Sequence, residues 1–302
     1  MSEQRRGVVA GVAAYGLWGL FPLYFPLLDP AAPMEILAHR LVWSAVVVLG
    51  VLAALGRLGR VRAVVRDRRR LTLLAVAGFT ISANWFAYIW GVNNGYVVEA
   101  SLGYFINPLL TVLLGVLVLG ERLRPLQWVS LGVAAVAVVV LTVDYGRPPW
   151  VALTLAVSFA LYGLLKKKAN TGSAESLAIE TTAVAPFALA YLVWLGVTGG
   201  SHFVSEGPGL TVLLLGTGVV TVVPLVCFGI AAIRVPLSVL GPLQYLAPIA
   251  QFALGILYFG EHMPASRWAG FALVWLALVL FTVEAVRHAR RQLRLTTEAS
   301  AA

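Results

Sequence analysis

The stretch "VLGERLRPLQWVSLG" (118–132) returns later in the chain as "YFGEHMPASRWAGFA" (258–272), without a gap and 140 residues further on. At the same offset, 11 of the 43 positions in 101–143 are identical to those in 241–283. The identities include Pro, Glu and Trp as well as apolar residues. Apolar matches alone are expected between any two membrane helices, whereas matched Pro, Glu and Trp positions indicate an internal duplication.

The composition places the chain in a lipid bilayer. Sixty per cent of its 302 residues are hydrophobic and 12% are charged, which is more apolar surface than a water-soluble core of this size can bury. A helix needs about 20 mostly apolar residues to cross the hydrocarbon core. Ten such runs are predicted, near 7–28, 34–56, 71–93, 98–118, 125–143, 149–166, 177–198, 210–232, 237–259 and 265–286.

The placement of the basic residues sets the predicted topology. With a cytoplasmic N-terminus, all of the 22 Lys and Arg residues except Arg40, Arg147 and Arg267 fall in cytoplasmic segments. This is a strong positive-inside pattern, so both termini are predicted to be cytoplasmic and the net charge does not indicate nucleic-acid binding. The block "RLGRVRAVVRDRRR" (57–70) is interpreted as a topology determinant that also contacts anionic headgroups.

The duplication and the topology together predict an inverted repeat. The fourth predicted span pairs with the ninth and the fifth with the tenth, so an odd number of spans separates the two copies. Two such copies have opposite orientations in the membrane, and their rocking about a central site is a transporter architecture. We predict an all-α membrane protein of ten transmembrane helices arranged as a 5+5 inverted repeat, with halves at 7–143 and 149–286 and a cytoplasmic tail at 287–302.

Six further motifs carry a family resemblance. In chain order they are "YGLWGLFPLYF" (15–25), "EILAHRLVWS" (35–44), "NWFAYIWGVN" (84–93), "VEASLGYFINPLL" (98–110), "SFALYGLLKK" (158–167) and "LGPLQYLAPIAQF" (240–252). With the paired Pro…Gly-Glu…Trp copies, the chain resembles the EamA domains of the drug/metabolite transporter superfamily, and within it the RarD-type permeases. The resemblance implies a ten-helix permease of the bacterial inner (plasma) membrane that exports its cargo, and it leaves the cargo undefined.

Three titratable residues stand at the start of the second span, in "MEILAHR" (34–40). Glu35 and His39 share one helix face, and Arg40 points about 100° away. Because charges in lipid are costly, these groups are expected to face the bundle interior or water. One interpretation is structural, with Arg40 paired to helix ends or to a carboxylate, of which Glu99 is the nearest by topology. The other is a substrate pathway in which Arg40 attracts an anionic group and His39 or Glu35 carries a proton.

Aromatic and amide side chains form stripes at helical spacing in both halves. A single aromatic stripe is more often helix packing than a binding surface, but amides within hydrocarbon need polar partners. We therefore predict one cavity near the midplane, lined by Tyr15, Trp18, Asn84, Tyr88, Tyr104, Asn107, Gln244 and Tyr245.

Two pairs of matched residues give further expectations. Pro108 and Pro248 lie near the centres of their spans and each removes a backbone donor, so a kink is predicted at both. A static kink and a hinge of the transport cycle both fit this position. Glu121 and Glu261 are each interpreted as bonding the start of the helix that follows, with a gating role as the alternative.

The sequence thus predicts a secondary transporter of a small metabolite or drug that works by alternating access. No catalytic residue, cofactor or metal site is predicted, because the chain has no Walker-type phosphate loop and its four His and single Cys lack metal-ligand spacing. The alternatives are a membrane-embedded enzyme, which would need a convergent nucleophile and base, and a receptor or scaffold. The expected partners are the bilayer and the substrate, while proton coupling and homo-oligomerisation stay open.

Overall fold

The structure is a computed structural model that describes residues 3–120 and 122–301, with their side chains except at 119, 237, 238 and 288–301. Every regular element in these residues is a helix. The first six α-helices are α1 (Glu3–Gly19), α2 (Phe21–Tyr24), α3 (Pro33–Ala54), α4 (Leu58–Arg66), α5 (Arg68–Asn93) and α6 (Val97–Leu119), with a 3-10 helix (Phe25–Leu28) after α2. The others are α7 (Pro125–Tyr145), α8 (Trp150–Ala169), α9 (Ser173–Thr198), α10 (Pro208–Arg234), α11 (Leu237–Leu243), α12 (Leu246–Leu257) and α13 (Ala265–Ala301).

The predicted all-α membrane class is confirmed. The described residues contain nine segments that are long and apolar enough to cross a membrane, or ten if the bent pair Glu3–Gly19 and Phe21–Leu28 is one span. Two segments expected as loop or tail are helical as well. α4 lies within the basic block 57–70, and α13 continues past the predicted span end to Ala301.

The first span is not the straight helix over 7–28 that the sequence predicts. α1 ends at Gly19, and the segment that follows is bent by 45° from it. Pro22 has no N–H to donate to the carbonyl of Trp18, so the helical hydrogen bonding is interrupted here. The free Trp18 carbonyl instead accepts a hydrogen bond from Nε2 of Gln251 in α12, at 3.0 Å. This contact joins the bend to a helix far away in the sequence.

The two matched prolines have different surroundings. Pro108 lies inside the continuous helix α6. Pro248 lies in the first turn of α12, just after α11 ends at Leu243. Pro248 cannot donate to the carbonyl of Gln244, and in the first turn of α12 its missing N–H leaves no helical hydrogen bond unmade. Of the two matched prolines, only Pro248 therefore accompanies a helix break.

Four helices begin 140 residues after another helix. α3 and α9 begin at 33 and 173, α5 and α10 at 68 and 208, α6 and α11 at 97 and 237, and α7 and α13 at 125 and 265. This is the offset between the two similar stretches of sequence. The helix boundaries therefore repeat over a longer part of the chain than the identical residues do.

Two glycines at this offset mark close approaches between α5 and α9 and between α10 and α3. A Cβ added at Gly78 would lie 2.5 Å from the carbonyl oxygen of Glu180 in α9. One added at Gly218 would lie 2.6 Å from the backbone C and O of Trp43 in α3. Each glycine allows two backbones to touch, as small residues do at membrane helix interfaces. Both contacts join a helix before residue 143 to one after residue 149.

Glu261, in the loop before α13, bonds the start of a distant helix. Its carboxylate accepts hydrogen bonds from the backbone N–H groups of Val97 at 2.5 Å and Val98 at 3.1 Å, at the first turn of α6. The expectation that Glu261 bonds the helix following it is therefore wrong. Its partner is instead a helix terminus brought close by the tertiary fold. The matched residue Glu121 lies outside the described residues.

Glu261 is expected to make the stability of the folded protein depend on pH. Burial raises the pKa of Glu261 to about 7 from its ordinary value of 4.5, against the opposing effects of the Val97 and Val98 N–H groups and of Arg267. Between these two pH values the folded protein binds more protons than the unfolded chain, so this group's contribution to stability is lost as pH rises from 4.5 to about 7. We expect Glu261→Gln to remove that component of the pH dependence of thermal unfolding in detergent. Parallel curves for the two proteins across this window would contradict the prediction.

Candidate functional site

Arg40 lies in the second turn of α3, and only 4% of its surface is exposed. Its Nε donates a hydrogen bond to Oγ1 of Thr221 in α10 at 2.8 Å. Its Cζ lies 4.0 Å from the centroid of the Trp85 ring of α5, and 5.4 and 5.8 Å from the ring centroids of Phe21 and Phe25. Cation–π attraction of this kind stabilises a desolvated guanidinium. One positive charge thus brings together four elements, namely the end of the first span, α3, α5 and α10.

No carboxylate among the described side chains forms an ion pair with Arg40. Glu99, its expected partner, pairs with Arg147 at 2.8 Å and accepts a hydrogen bond from the backbone N–H of Val151 at 2.9 Å. Glu99 therefore does not serve as the carboxylate partner that one interpretation of the sequence offered to Arg40, because it is used at the first turn of α8. The terminal N–H groups of Arg40 have no hydrogen-bond partner in the described part of the chain, so they are available to an anion.

Three tyrosine phenols lie near enough to this guanidinium to interact with its charge. Tyr24, Tyr88 and Tyr104 all interact with Arg40 electrostatically, and the rings of Tyr88 and Tyr104 lie 5.7 Å apart. The Tyr24 hydroxyl donates to the carbonyl of Leu213. The Tyr88 hydroxyl is buried and finds no hydrogen-bond partner among the described residues. A buried polar group without a partner costs about 1–3 kcal/mol, so this hydroxyl is suited to a ligand or a water molecule.

Asn84 ties this region to α8. Its Nδ2 donates to the carbonyl of Leu155 and to Oγ of Ser158, both at 2.9 Å. Its Oδ1 accepts a hydrogen bond from the Tyr104 hydroxyl at 3.5 Å. Of the residues predicted from the sequence to share a pathway, the structure thus brings Arg40, Asn84, Tyr88 and Tyr104 together.

The other predicted lining residues lie in separate groups. The rings of Tyr15 and Trp18 are 5.4 Å apart and both face Phe228 of α10. Asn107 accepts a hydrogen bond from Thr111 in its own helix at 3.4 Å. Gln244 and Tyr245 occupy the break between α11 and α12, where Tyr245 packs against a different hydrophobic cluster from the one next to Tyr104.

Glu35 and His39 face the segment that leads into α10. Glu35 is 1% exposed and accepts a hydrogen bond from the backbone N–H of His202 at 2.8 Å. The Nδ1 atom of His202 also lies 2.8 Å from the Glu35 carboxylate. His39 accepts a hydrogen bond from Trp43 Nε1 at 3.1 Å and packs on the ring of Phe203 at 4.8 Å. These two residues therefore adjoin Arg40 in the sequence but have their own partners.

Sequence reasoning missed Trp85, Thr221 and His202. Trp85 follows Asn84 directly but lies off the stripe that Asn84 begins. Thr221 also donates to the carbonyl of Thr217 in its own helix at 2.8 Å. A helical Thr that satisfies its hydroxyl in this way leaves no signal in the sequence. The signal that could have found His202 was Glu35, an acid in the second span that needs a partner.

Comparisons with known proteins agree with this architecture. Residues 5–143 match the EamA-like transporter family. The chain is 59% identical to Protein RarD of Streptomyces exfoliatus, over 99% of this chain and 95% of that protein. The chain belongs to the EamA-like transporter family. Within the family it is a RarD-type permease.

Two further comparisons extend the EamA assignment. A Pseudomonas aeruginosa protein named as a transporter is 45% identical over 95% of this chain and 96% of its own length. A crystal structure with 20% sequence identity superposes with a TM-score of 0.59, covering 93% of this chain and 98% of that one, and so shares the fold. This EamA-type chain is therefore a multi-pass membrane transporter of the drug/metabolite class. That its relatives are named as transporters fits a protein that is not an enzyme.

Proposed function

We propose that this RarD-type permease is a secondary transporter that moves a small metabolite or drug with an anionic group, by alternating access. The observation that carries the proposal is Arg40, a buried guanidinium that no described carboxylate neutralises. A guanidinium stays charged at any working pH, so it must find an anion, carbonyls or water. An anionic substrate group bound between Arg40 and the Tyr88 hydroxyl would satisfy both.

The repeated helix starts support a 5+5 inverted repeat as the framework of this site. The proposed halves are 7–143 and 149–286, followed by a tail at 287–302. Thr221 and the Gly218 contact with α3 bring the second half to Arg40. Relative movement of the halves would then change access to the guanidinium, as alternating access requires.

We further propose that the protein lies in the bacterial inner membrane with both termini in the cytoplasm, and that it exports its substrate. The basic loops support the orientation. In a Cys227→Ala background, we expect Ser205→Cys to react with an impermeant thiol reagent in intact cells and Arg62→Cys to react only after permeabilisation. Both positions are exposed. Reaction of Arg62→Cys in sealed cells would contradict this topology.

Untargeted metabolite profiling tests the transport proposal. Cells carrying the wild-type protein, the Arg40→Gln protein or neither are compared for solutes in medium and cytosol. We expect at least one solute with a carboxylate, phosphate or sulfate group to rise in the medium and fall in the cytosol with the wild-type protein only. A redistributed solute without an anionic group would contradict the role of Arg40. No redistribution in any strain would contradict export.

A further inference from the structure

Glu180 forms a second polar cluster that the Arg40 site does not use. It lies on α9 and is 1% exposed. Its carboxylate accepts hydrogen bonds from the hydroxyls of Ser176 and of Tyr162 in α8, the latter at 2.9 Å. The ammonium of Lys166, also in α8, lies 3.1 Å away. The two hydroxyls and the ammonium are all hydrogen-bond donors, which is the set of partners that a carboxylate accepts from.

Glu180 occupies the position that matches Arg40 in the helix spacing. Arg40 is seven residues after the start of α3 and Glu180 seven after the start of α9. At a rise of about 1.5 Å per residue, each lies roughly 10 Å into its helix. In the proposed inverted arrangement, the two opposite charges lie at equal depths from opposite faces of the membrane. The repeat has thus kept an ionisable position and reversed its sign.

The helices packed around Glu180 contribute few other charges. α5 approaches it through the backbone at Gly78, which has no side chain. α3 contributes the apolar side chains of Val48 and Leu52 to the neighbouring cluster. On α9 itself, Glu175 pairs with Arg60 of α4 at 3.8 Å. Among the described side chains, the charged and titratable groups in contact with the carboxylate of Glu180 are Tyr162 and Lys166, both from α8.

Lys166 connects this buried cluster to water. Its side chain is 26% exposed, and its ammonium also donates to the Tyr162 hydroxyl at 3.0 Å. The next two residues, Lys167 and Lys168, are exposed. Polar contacts thus run from Glu180 through Tyr162 to the partly exposed ammonium of Lys166, near the end of α8 that the proposed topology places in the cytoplasm.

We propose that Glu180 is the binding site for a coupling proton, and that Tyr162 and Lys166 form its exit to the cytoplasmic face. The proton adds to the Glu180 carboxylate when α8 has withdrawn its two polar groups, which gives a neutral carboxylic acid. When Tyr162 and Lys166 return, the acid releases that proton to water and the carboxylate of the described state forms again. One proton is bound and one released in each cycle.

The direction of the pH effect follows from the partners of Glu180. Its two hydroxyl donors and its ammonium all stabilise the charged carboxylate relative to the neutral acid. A proton therefore binds more tightly in the alternative state, and acid shifts the population towards that state. The proposal rests on the alternating access proposed above, but its test needs no substrate.

The experiment measures the distance between spin labels at Thr72→Cys and Lys168→Cys, exposed positions near the ends of α5 and α8, in a Cys227→Ala background in lipid nanodiscs. We expect lowering the pH from about 8 to about 5 to shift the distance distribution. Glu180→Gln, a neutral mimic of the protonated acid, should give the acid distribution at both pH values. The matched control Glu175→Gln, on the same helix, should respond as the wild-type protein does.

Three results would overturn the assignment: no response of the wild-type protein, a retained response in Glu180→Gln, or an equal loss in Glu175→Gln. If Glu180→Gln does not fold, Glu180→Asp decides, because a shorter carboxylate keeps the proton site but changes its surroundings. We expect its pH response to persist with a shifted midpoint. An unchanged midpoint would also overturn the proposal. A wild-type protein that shows this pH response but transports no solute would instead contradict the proposed function alone.

Discussion

Arg40→Gln should reduce transport to about 1% or less while the protein is still inserted. Gln keeps polarity and much of the bulk but loses the charge that we propose binds the anionic substrate group. Losing one member of a buried charged pair costs about 2–5 kcal/mol, and each 1.4 kcal/mol or so is a factor of about ten. The measurement is the initial rate of transport of the solute identified by profiling, in proteoliposomes with equal amounts of folded protein.

Two further variants test whether the loss of transport depends on the charge of Arg40 itself. Arg62→Gln removes an arginine from the exposed surface of α4 and should leave the rate unchanged. Thr221→Val removes the hydrogen bond to Nε of Arg40 but keeps the charge, so we expect a smaller loss, of about tenfold. An Arg40→Gln protein that folds normally and transports at the wild-type rate would show that the charge is structural.

Gly78→Ala and Gly218→Ala should each lower the stability of the folded protein by about 1–3 kcal/mol. At both positions the added Cβ meets the backbone of another helix within 2.6 Å, and a backbone cannot rotate away as a flexible side chain can. The helices must therefore separate. Thermal unfolding in detergent, followed by tryptophan fluorescence, measures the loss.

Gly132→Ala is the matched control for these glycines. Gly132 is also helical, but a Cβ there would meet nothing within 4 Å. Ala is favoured over Gly inside a helix by up to about 1 kcal/mol, so this variant should be as stable as the wild-type protein or more so. If Gly78→Ala and Gly218→Ala also unfold at or above the wild-type temperature, the close helix contacts are not required.

The membrane class and the span positions could be predicted from the sequence because both depend on local composition. Runs of apolar residues and alternating basic loops are readable one segment at a time. The sequence match between Pro108 and Pro248 could be seen in advance. That the helix stays continuous at Pro108 and is broken just before Pro248 could not. Whether a proline ends a helix depends on what else can satisfy the free carbonyl, and that is decided by packing.

The partners of the buried charges could not be predicted for the same reason. Glu99, Glu261 and Glu35 all bond groups at the ends of helices or loops far away in the sequence. Only the tertiary fold brings these groups together. Glu180 was missed because Lys166 was interpreted with its neighbours as a topology signal, although its ammonium lies against that carboxylate.

The bend after α1 has a thermodynamic consequence for ligand binding. It places Phe21 and Phe25 beside the Arg40 guanidinium, and it is held by the bond from Gln251 to the Trp18 carbonyl. A straight first span would carry these rings away, so the affinity that we propose for an anion at this guanidinium depends on the shape of a helix that supplies none of its described hydrogen bonds. Because linkage is reciprocal, an anion that prefers the bent form must also strengthen the bend by the same free energy.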